Sequence, residues 1–298
     1  MNTLSQWAYH AISKHFNKIV KHENGVLANQ DIEQVHQMRV GMRRLRSAID
    51  CFGLVLQLPK KVSAARVGKI SRILGELRDL DVMSEMIESL VDQIPNQEIK
   101  HLDPVFKSLK QDRQYCYKKV KKLFSDNLYI QLKQELKKWL DDPSYTQIDQ
   151  VDINFVLPDI LLPQISNFFL YPTWYFPASC QKSEQYELSL HALRKQAKKL
   201  RYNLELFEQE ASQGYQYYLQ EVTQVQTILG DIQDNIVLRE FLKQTWQQDS
   251  KKTTPTLSDI LQKNNLQHWQ AWQNQSAKFL SLDFKKSFYL AILNSPTN

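Results

Sequence analysis

The chain has little glycine, with 7 glycines in 298 residues, where an average protein of this length has about 20. Tight turns between strands depend on glycine, so this shortage argues against a β-rich fold. Leu, Gln, Lys and Glu are abundant instead, and the prolines cluster between helical segments. The composition predicts an all-α protein with enough residues for a large core, as one domain of two halves or as two domains.

Cysteine is also scarce. Cys51, Cys116 and Cys180 lie far apart, and no CxxC pair occurs. An odd, scattered set argues against a disulfide framework and against a thiolate zinc site. Cys51 falls on the apolar side of a basic helix, where the pattern predicts a small buried thiol.

Long apolar runs are missing. The chain has no run of about 18 apolar residues, the length that a membrane-spanning helix needs. Residues 1–20 lack the basic segment and unbroken apolar stretch of a signal peptide. We therefore expect a soluble, cytoplasmic protein with no membrane partner.

One composite motif occurs twice, at an offset of 155 residues. The segment VHQMRVGMRRLRSAIDCF (35–52) returns as LHALRKQAKKLRYNLELF (190–207). At the same offset, ILGELRDLDV (73–82) returns as ILGDIQDNIV (228–237). Two blocks at one offset indicate two copies of one helical unit, each with a basic segment near its start.

The apolar periodicity predicts the order of the helices. The first copy contains predicted helices over 4–28, 31–57, 61–93, 97–124 and 127–141. The second contains helices near 184–212 and 214–247, then a closing pair that ends at about 293. We therefore divide the single domain 1–298 into a first half (1–142), a proline-rich linker with a short helix at 158–170 (143–183) and a second half (184–298).

Positive charge is segregated along the chain. The formal net charge is +6, but residues 39–79 contain ten Lys and Arg against three acids, and residues 194–201 contain five against none. The remaining residues therefore sum to −6. Concentrated positive charge on an otherwise acidic body is typical of a polyanion site.

Helical spacing arranges these cations as stripes, because residues three and four apart share a helix face. Each stripe is about 15 Å long and lies beside an apolar stripe; the members are His36, Arg39, Arg43 and Arg46, then His191, Arg194, Lys198 and Arg201. We expect Asp79 and Asp234 to pair with some of these cations. Two acids cannot neutralise them all, so the pattern favours ligand binding over a purely internal salt-bridge network. We also expect the two stripes to face one another across a shared groove.

The histidine at the head of each stripe allows three roles. No second His or Cys lies three or four positions after His36 or His191, so a metal site is not indicated. A phosphoacceptor would need a catalytic partner that the sequence does not show. We prefer a hydrogen bond to an anion oxygen or a neighbouring carboxylate. The KKVKK run (118–122) is a weaker candidate, because such runs are usually solvated helix faces.

The two HxxR helices, HQMRVGMRRLR and HALRKQAKKLRY, together with LGELRDLDV and LGDIQDN, resemble the CHAD family, the conserved histidine α-helical domain. The resemblance covers nearly the whole chain. It implies two four-helix units, related by pseudo-two-fold symmetry, around a basic central groove or channel. It also implies binding of inorganic polyphosphate and, for some members, location at polyphosphate granules. By position, the implied ligand set is His36, Arg39, Arg43, Arg46, His191, Arg194, Lys198 and Arg201, with Lys69 and Arg72 as additions.

The segments ILGELRDLDV (73–82) and ILGDIQDNIV (228–237) are called the LG block of each copy. The second copy departs from the first on the helix that contains this block. Gln224, Thr227 and Gln233 replace the cations Lys69, Arg72 and Arg78, so we expect tighter ligand contact in the first half. Some relatives carry a catalytic triphosphate-tunnel domain with an ExExK strand, and this chain has no ExExK.

Two other functions stay open. A nucleic-acid binder would interleave aromatics with its cations, and neither stripe does, so nucleic acid is expected as a weaker competitor. An enzyme acting on polyphosphate or nucleotides would need carboxylates that hold Mg²⁺, for which Asp79, Asp81 and Asp234 give thin support. We therefore expect no catalytic residue, no metal and no cofactor.

Overall fold

The computed structural model describes residues 2–176, 184–208, 212–246 and 253–294. Within these ranges the regular structure is helical, and β-pairing is limited to isolated bridges such as that between Leu56 and Tyr145. The all-α prediction is confirmed. The described residues form two compact units: unit 1 is made of Thr3–Gln150 and Leu238–Leu261, and unit 2 is made of Val151–Val237 and Gln262–Asn298, with Asn2.

These units differ from the predicted division of the chain. The boundary falls inside the predicted linker at 143–183, most of which belongs to unit 2. Leu238–Leu261, which the division placed in the second half, groups with unit 1. The order of the segments along the sequence did not predict that Leu238–Leu261 would group with unit 1.

Unit 1 begins with three long helices whose N-terminal ends are capped by side chains. Thr3 forms a capping box at the start of the first helix, and Asp31 and Ser63 cap the next two. The helices are α1 (Leu4–Ala28), α2 (Ile32–Cys51), α3 (Ala64–Val91), the short α4 (Asn96–Ile99), α5 (Asp103–Phe124) and α6 (Asn127–Asp141). The predicted helix 31–57 is therefore too long at its C-terminal end, because the chain turns at Phe52.

Unit 2 begins with a helix that contains two prolines, Pro158 and Pro163, in its interior. This helix starts at Ile153, earlier than the predicted 158, because Asp152 caps it. The helices that lie wholly or partly in unit 2 are α7 (Ile153–Phe169), α8 (Glu184–Glu205), α9 (Gln213–Trp246), α10 (Pro255–Leu280) and α11 (Leu282–Leu293). The end of α9 and the start of α10 belong to unit 1. The helix predicted near 184–212 ends at Glu205 instead.

The helix boundaries repeat at the offset that relates the two motif blocks. The cap of α6, Asp126, and the cap of α11, Ser281, are 155 residues apart. α2 ends at Cys51 and α8 ends at Glu205, 154 residues later. The repeat therefore extends beyond the two motif blocks, with α2, α3, α5 and α6 matching α8, α9, α10 and α11; the short α4 has no counterpart among the described helices.

The apolar stripes predicted beside the cations are buried. They consist of Val35, Met38, Met42 and Leu45 in unit 1, and of Leu190, Leu193, Ala197 and Leu200 in unit 2. Cys51 is buried as predicted, and burial raises the pKa of its thiol to about 12. Cys116 is half-buried, and Cys180 lies outside the described residues.

A second apolar cluster of unit 1 lies at the C-terminal end of α3 and the N-terminal end of α5. It contains side chains from both parts of the unit, namely Ile87, Leu90, Ile94, Leu102, Val105 and Leu109 with Leu238, Leu242, Leu257 and Leu261. Glu98 accepts hydrogen bonds from the amides of Thr256 and Leu257 at 3.0 and 3.2 Å. This packing holds Leu238–Leu261 in unit 1. No helix in the described part of the chain is long and apolar enough to cross a membrane.

Candidate functional site

The arginine of the first HxxR motif lies against the backbone of α3. A Cβ atom at Gly75 would lie 3.0 Å from Arg39 Nε and 3.1 Å from its Nη2, so glycine at this position leaves room for the guanidinium. One helical turn further along α3, Asp79 Oδ1 accepts a hydrogen bond from Arg39 Nη2 at 3.4 Å. The Arg39 side chain is 17% exposed and that of Asp79 is 72% exposed.

Unit 2 contains the same arrangement. A Cβ atom at Gly230 would lie 3.4 Å from Arg194 Nη2, and Asp234 Oδ1 is 3.5 Å from the same nitrogen. We call Arg39, Gly75 and Asp79, and likewise Arg194, Gly230 and Asp234, the arginine cradles. The prediction that Asp79 and Asp234 pair with stripe arginines is confirmed. The glycine and the aspartate that both LG blocks contain thus have a physical role, because they contact the arginine of the HxxR motif.

The two helices of each pair are antiparallel and keep one register. In unit 1, Arg46 lies against Gly68, where a Cβ atom would be 3.1 Å from Arg46 Nη1. Seven residues forward from Arg39 on α2 therefore match seven residues back from Gly75 on α3. In unit 2, Nδ1 of His191 donates to Gln233 Oε1 at 2.9 Å. His191 lies three residues before Arg194 on α8, and Gln233 lies three residues after Gly230 on α9. The constant register explains why one offset relates both sequence blocks.

Four cations share the end of the α2–α3 surface beyond the cradle. The register places Arg43 and Arg46 beside the first turns of α3, which carry Lys69 and Arg72. Arg46, Lys69 and Arg72 are exposed, and Arg43 is half-buried. Asp50 Oδ2 lies 4.0 Å from Arg46 Nε, whereas no carboxylate in the described ranges lies within ion-pair distance of Lys69 or Arg72. We call Arg43, Arg46, Lys69 and Arg72 the cationic cluster.

The corresponding end of the α8–α9 surface has a different character. Arg201 is bound on two sides, since its Nε is 2.7 Å from Glu205 Oε1 and its Nη1 donates to Gln226 Oε1 at 3.0 Å. Lys198 is half-buried nearby on α8. A polar recess at this end is lined by Arg201, Glu205, Glu208, Gln216, Leu219, Gln220, Thr223, Gln224 and Thr227. This end of unit 2 therefore has two cations, Lys198 and Arg201, with Glu205 and Glu208, whereas unit 1 has four cations with Asp50.

The histidines at the head of each stripe are half-buried. Burial lowers the pKa of His36, and the neighbouring Arg78 and Arg39 lower it further against the opposing effect of Glu33. Burial also lowers the pKa of His191, as does Lys195, while the hydrogen bond to Gln233 opposes them. Both imidazoles are therefore largely neutral at pH 7.

The acids of the RDLD segment point to different partners. Asp79 belongs to the cradle, whereas Asp81 is buried and lies 2.6 Å from Arg113 Nε on α5. Arg113 also donates to Asn29 Oδ1 at 3.0 Å. Residues two positions apart on a helix point in directions about 200° apart. The carboxylates of Asp79 and Asp81 therefore do not converge. Among the residues that the structure describes, no group of three or more His, Cys, Asp or Glu is placed to hold a metal ion.

The KKVKK run lies on α5 with Val120 buried and its lysines exposed. Lys119 Nζ donates to Glu76 Oε2 at 3.0 Å. The other three lysines border a shallow recess lined by Leu27, Lys118, Lys121, Lys122, Phe124 and Ser125. This geometry is that of a solvated helix face around one core residue.

Some contacts of the site were not anticipated from the sequence. Arg46 and Arg201 each meet an acid four residues later on the same helix, Asp50 and Glu205. The i, i+4 spacing, repeated at the common offset, is a signal that would have found both pairs. The contact of Arg46 with Gly68 had no such signal, because it depends on the register between two helices.

The geometry of two repeated helix pairs, each with an arginine cradle, defines a class of all-α, internally duplicated proteins with a basic surface. A family model, the CHAD domain, matches residues 10–243. The chain therefore belongs to the CHAD domain family.

Two solved structures share this fold. The CHAD domain from the plant Ricinus communis is similar with a TM-score of 0.64 and 21% identity, over 99% of this chain and 93% of that one. PptA from Streptomyces chartreusis is similar with a TM-score of 0.64 and 9% identity, over 98% of this chain and 99% of that one. No curated protein matches the sequence.

Proposed function

We propose that this protein binds inorganic polyphosphate and does not hydrolyse it. The observation that carries the proposal is the cationic cluster, in which four cations lie at one end of an antiparallel helix pair and Asp50 Oδ2 lies 4.0 Å from Arg46 Nε. Like charges so close repel one another, and an anion relieves that repulsion. Membership of the CHAD family supports polyphosphate as that anion, since the family resemblance implies this ligand.

The spacing of the cluster suits a repeating anion better than a compact one. Arg43 and Arg46 are three residues apart, as are Lys69 and Arg72, so each pair is separated by about 4.5 Å along its helix. Guanidinium groups bind phosphate oxygens in bidentate fashion. Contacts to phosphate alone carry no base recognition, so nucleic acid is proposed as a weaker competitor.

The proposal of a non-catalytic role is supported by what surrounds the cluster. Phosphoryl transfer usually requires carboxylates that hold Mg²⁺ beside the phosphate. Asp81 is buried in its ion pair with Arg113, and Asp79 is bound to Arg39. In the cell, we propose a cytoplasmic protein that associates with polyphosphate granules. That the two stripes face one another across a shared groove stays a prediction.

The test is a titration of the full chain with long-chain polyphosphate over a series of salt concentrations. Affinity is expected to fall steeply with salt, as it does when cations displace counterions from a polyanion. The triple variant Arg43→Ala, Arg46→Ala, Arg72→Ala should weaken binding by about 2–4 kcal/mol, since charged hydrogen bonds contribute roughly 1.5–3 kcal/mol each before non-additivity.

The matched control removes three exposed cations elsewhere in unit 1, with Lys118→Ala, Lys121→Ala and Lys122→Ala. It should leave the affinity within about 0.5 kcal/mol of the parent. If this control lost affinity and the first triple variant kept it, the site would be wrong. If the parent failed to bind polyphosphate at low salt, or bound nucleic acid more tightly, the proposed ligand would be wrong. Release of free phosphate with Mg²⁺ present would contradict the non-catalytic role.

A further inference from the structure

We propose that Asp79 and Asp234 act as intramolecular competitors of the anionic ligand, and that they lower the affinity of the cradle arginines for phosphate. This inference rests on the proposed polyphosphate-binding function. It assigns opposite roles to the two shared residues of the LG block. The glycine positions the arginine, and the aspartate opposes the ligand.

The glycine contact restricts the position of the arginine. The guanidinium of Arg39 lies so close to α3 that an added Cβ at Gly75 would meet three of its atoms within 3.5 Å. Its side chain is 17% exposed, so the arginine is confined by packing along most of its length. Arg194 is 18% exposed beside Gly230. Packing therefore holds both arginines against the helix in addition to the contact with the carboxylate.

The aspartate contact is longer than most ion pairs among the described residues, which lie between 2.6 and 3.1 Å. Asp79 Oδ1 is 3.4 Å from Arg39 Nη2 and Asp234 Oδ1 is 3.5 Å from Arg194 Nη2. By contrast, the oxygen of Asp81 is 2.6 Å from Arg113. Distances beyond about 3.2 Å indicate weak hydrogen bonds. The cradle carboxylates therefore contribute charge more than geometry.

The exposure of the carboxylates places that charge where a ligand arrives. The side chain of Asp79 is 72% exposed and that of Asp234 is 37% exposed. A phosphate that approaches the donors of Arg39 from solvent comes close to the carboxylate of Asp79, and like charges repel. In the empty protein the same carboxylate reduces the repulsion among the stripe cations. Each aspartate thus favours the empty state over the bound state.

The experiment measures the affinity of full-length variants for long-chain polyphosphate at low salt. Asp79→Asn keeps the size of the side chain and removes its charge. We expect it to bind roughly three- to tenfold more tightly than the parent, a range set by partial solvent screening. Its affinity should also fall more steeply with salt, because Arg39 then neutralises one more phosphate. Asp234→Asn should show a smaller gain, since Asp234 is less exposed.

The matched control is Glu135→Gln on α6. Glu135 is bound to Lys138 at 3.0 Å, so the variant removes one negative charge from an ion pair outside the cradles. Its affinity should stay within about twofold of the parent. In an Arg39→Ala background, Asp79→Asn should lose most of its gain, because the arginine that it releases is absent.

The outcomes separate this inference from the proposed function. If the parent binds polyphosphate and Asp79→Asn binds more weakly, Asp79 positions Arg39 and the inference is wrong. It is equally wrong if Asp79→Asn behaves like Glu135→Gln, or if the gain persists in full without Arg39. If the parent does not bind polyphosphate at all, the proposed function fails first.

Discussion

The α2–α3 pair of unit 1 and the α8–α9 pair of unit 2 share one framework and differ in the charges around it. Both pairs have the arginine cradle, with Arg39 on Gly75 and Arg194 on Gly230. The cluster end differs, because exposed cations in unit 1 correspond to amides and hydroxyls in unit 2. The residues that repeat are those that set the geometry of the helix pair. The residues that differ set its charge.

The third helix of each copy, α5 in the first and α10 in the second, also differs in the charge that it carries at matching positions. Arg113 on α5 binds the buried Asp81 at 2.6 Å. The position 155 residues later holds His268, whose Nδ1 is 3.9 Å from Asp231 Oδ2 and which is charged only when protonated. Unit 1 therefore has a short ion pair to a buried carboxylate, where unit 2 has a longer contact between two partly exposed side chains.

The largest expected effect concerns this third helix. Arg113→Ala leaves the Asp81 carboxylate buried without its guanidinium, and breaking a buried pair costs about 3–5 kcal/mol of unfolding free energy. His268→Ala removes a long, partly exposed contact and should cost less than about 1 kcal/mol. Urea unfolding of both variants at neutral pH measures the difference. Equal losses would show that the two positions are energetically alike.

The next effect concerns the cluster end. Lys69→Ala with Arg72→Ala should weaken polyphosphate binding by about 2–3 kcal/mol, since two phosphate contacts are removed. The corresponding pair in unit 2, Gln224→Ala with Thr227→Ala, should change it by less than about 0.5 kcal/mol. Titration calorimetry of both double variants makes the comparison. Similar losses would contradict the asymmetry between the units.

A smaller effect is expected from pH. His36 and His191 have pKa values below the usual range in the empty protein, and a bound phosphate should raise both. Polyphosphate affinity should therefore increase by about 1 kcal/mol as the pH falls from about 8 to about 6. The double variant His36→Gln, His191→Gln should lack most of this increase. An unchanged pH profile in that variant would place the titrating groups elsewhere.

The same shifts have the opposite consequence for the empty protein. Below pH 6.5 the unfolded chain binds protons that the folded protein excludes from these histidines. The empty protein should therefore lose a little stability as the pH falls from 6.5 towards the folded pKa values. Polyphosphate should reverse this loss, which thermal unfolding with and without ligand would measure.

The smallest effect distinguishes the two cradles. Gly75→Ala places a Cβ 3.0 Å from Arg39 Nε, so the guanidinium must shift, whereas at Gly230 the nearest Arg194 atom is 3.4 Å away. We expect Gly75→Ala to weaken polyphosphate binding by about 0.5–1 kcal/mol, roughly the worth of one displaced hydrogen bond. Gly230→Ala should bind like the parent. Unfolding curves control for stability, since alanine in a helix interior is favourable by up to about 1 kcal/mol over glycine.

Much of the fold was predictable because helices are specified locally. The apolar period and the flanking polar residues predicted α1 and α6 at the ends that they have, Leu4–Ala28 and Asn127–Asp141. The end of α2 was not predictable in this way. The chain leaves the helix at Phe52, and the Gln57 amide donates to the carbonyl of Ser144, a partner far along the sequence.

The sequence by itself determined the basic stripes, the apolar stripes beside them and the repeat. Spacing of three and four along one helix follows from backbone geometry, so Arg39, Arg43 and Arg46 share a face whatever packs against them. The common offset then required that both copies form the same helix pair. Nothing beyond local geometry and self-similarity is needed for these conclusions.

Only the tertiary structure decided how deeply each charge lies and which partner it meets. Arg39 is confined over Gly75 and Arg46 is exposed over Gly68, although both belong to one stripe. Asp81 is buried with Arg113, and Leu238–Leu261 groups with unit 1. Burial and register arise from packing between helices that are tens of residues apart, and the same helical period is compatible with several such packings.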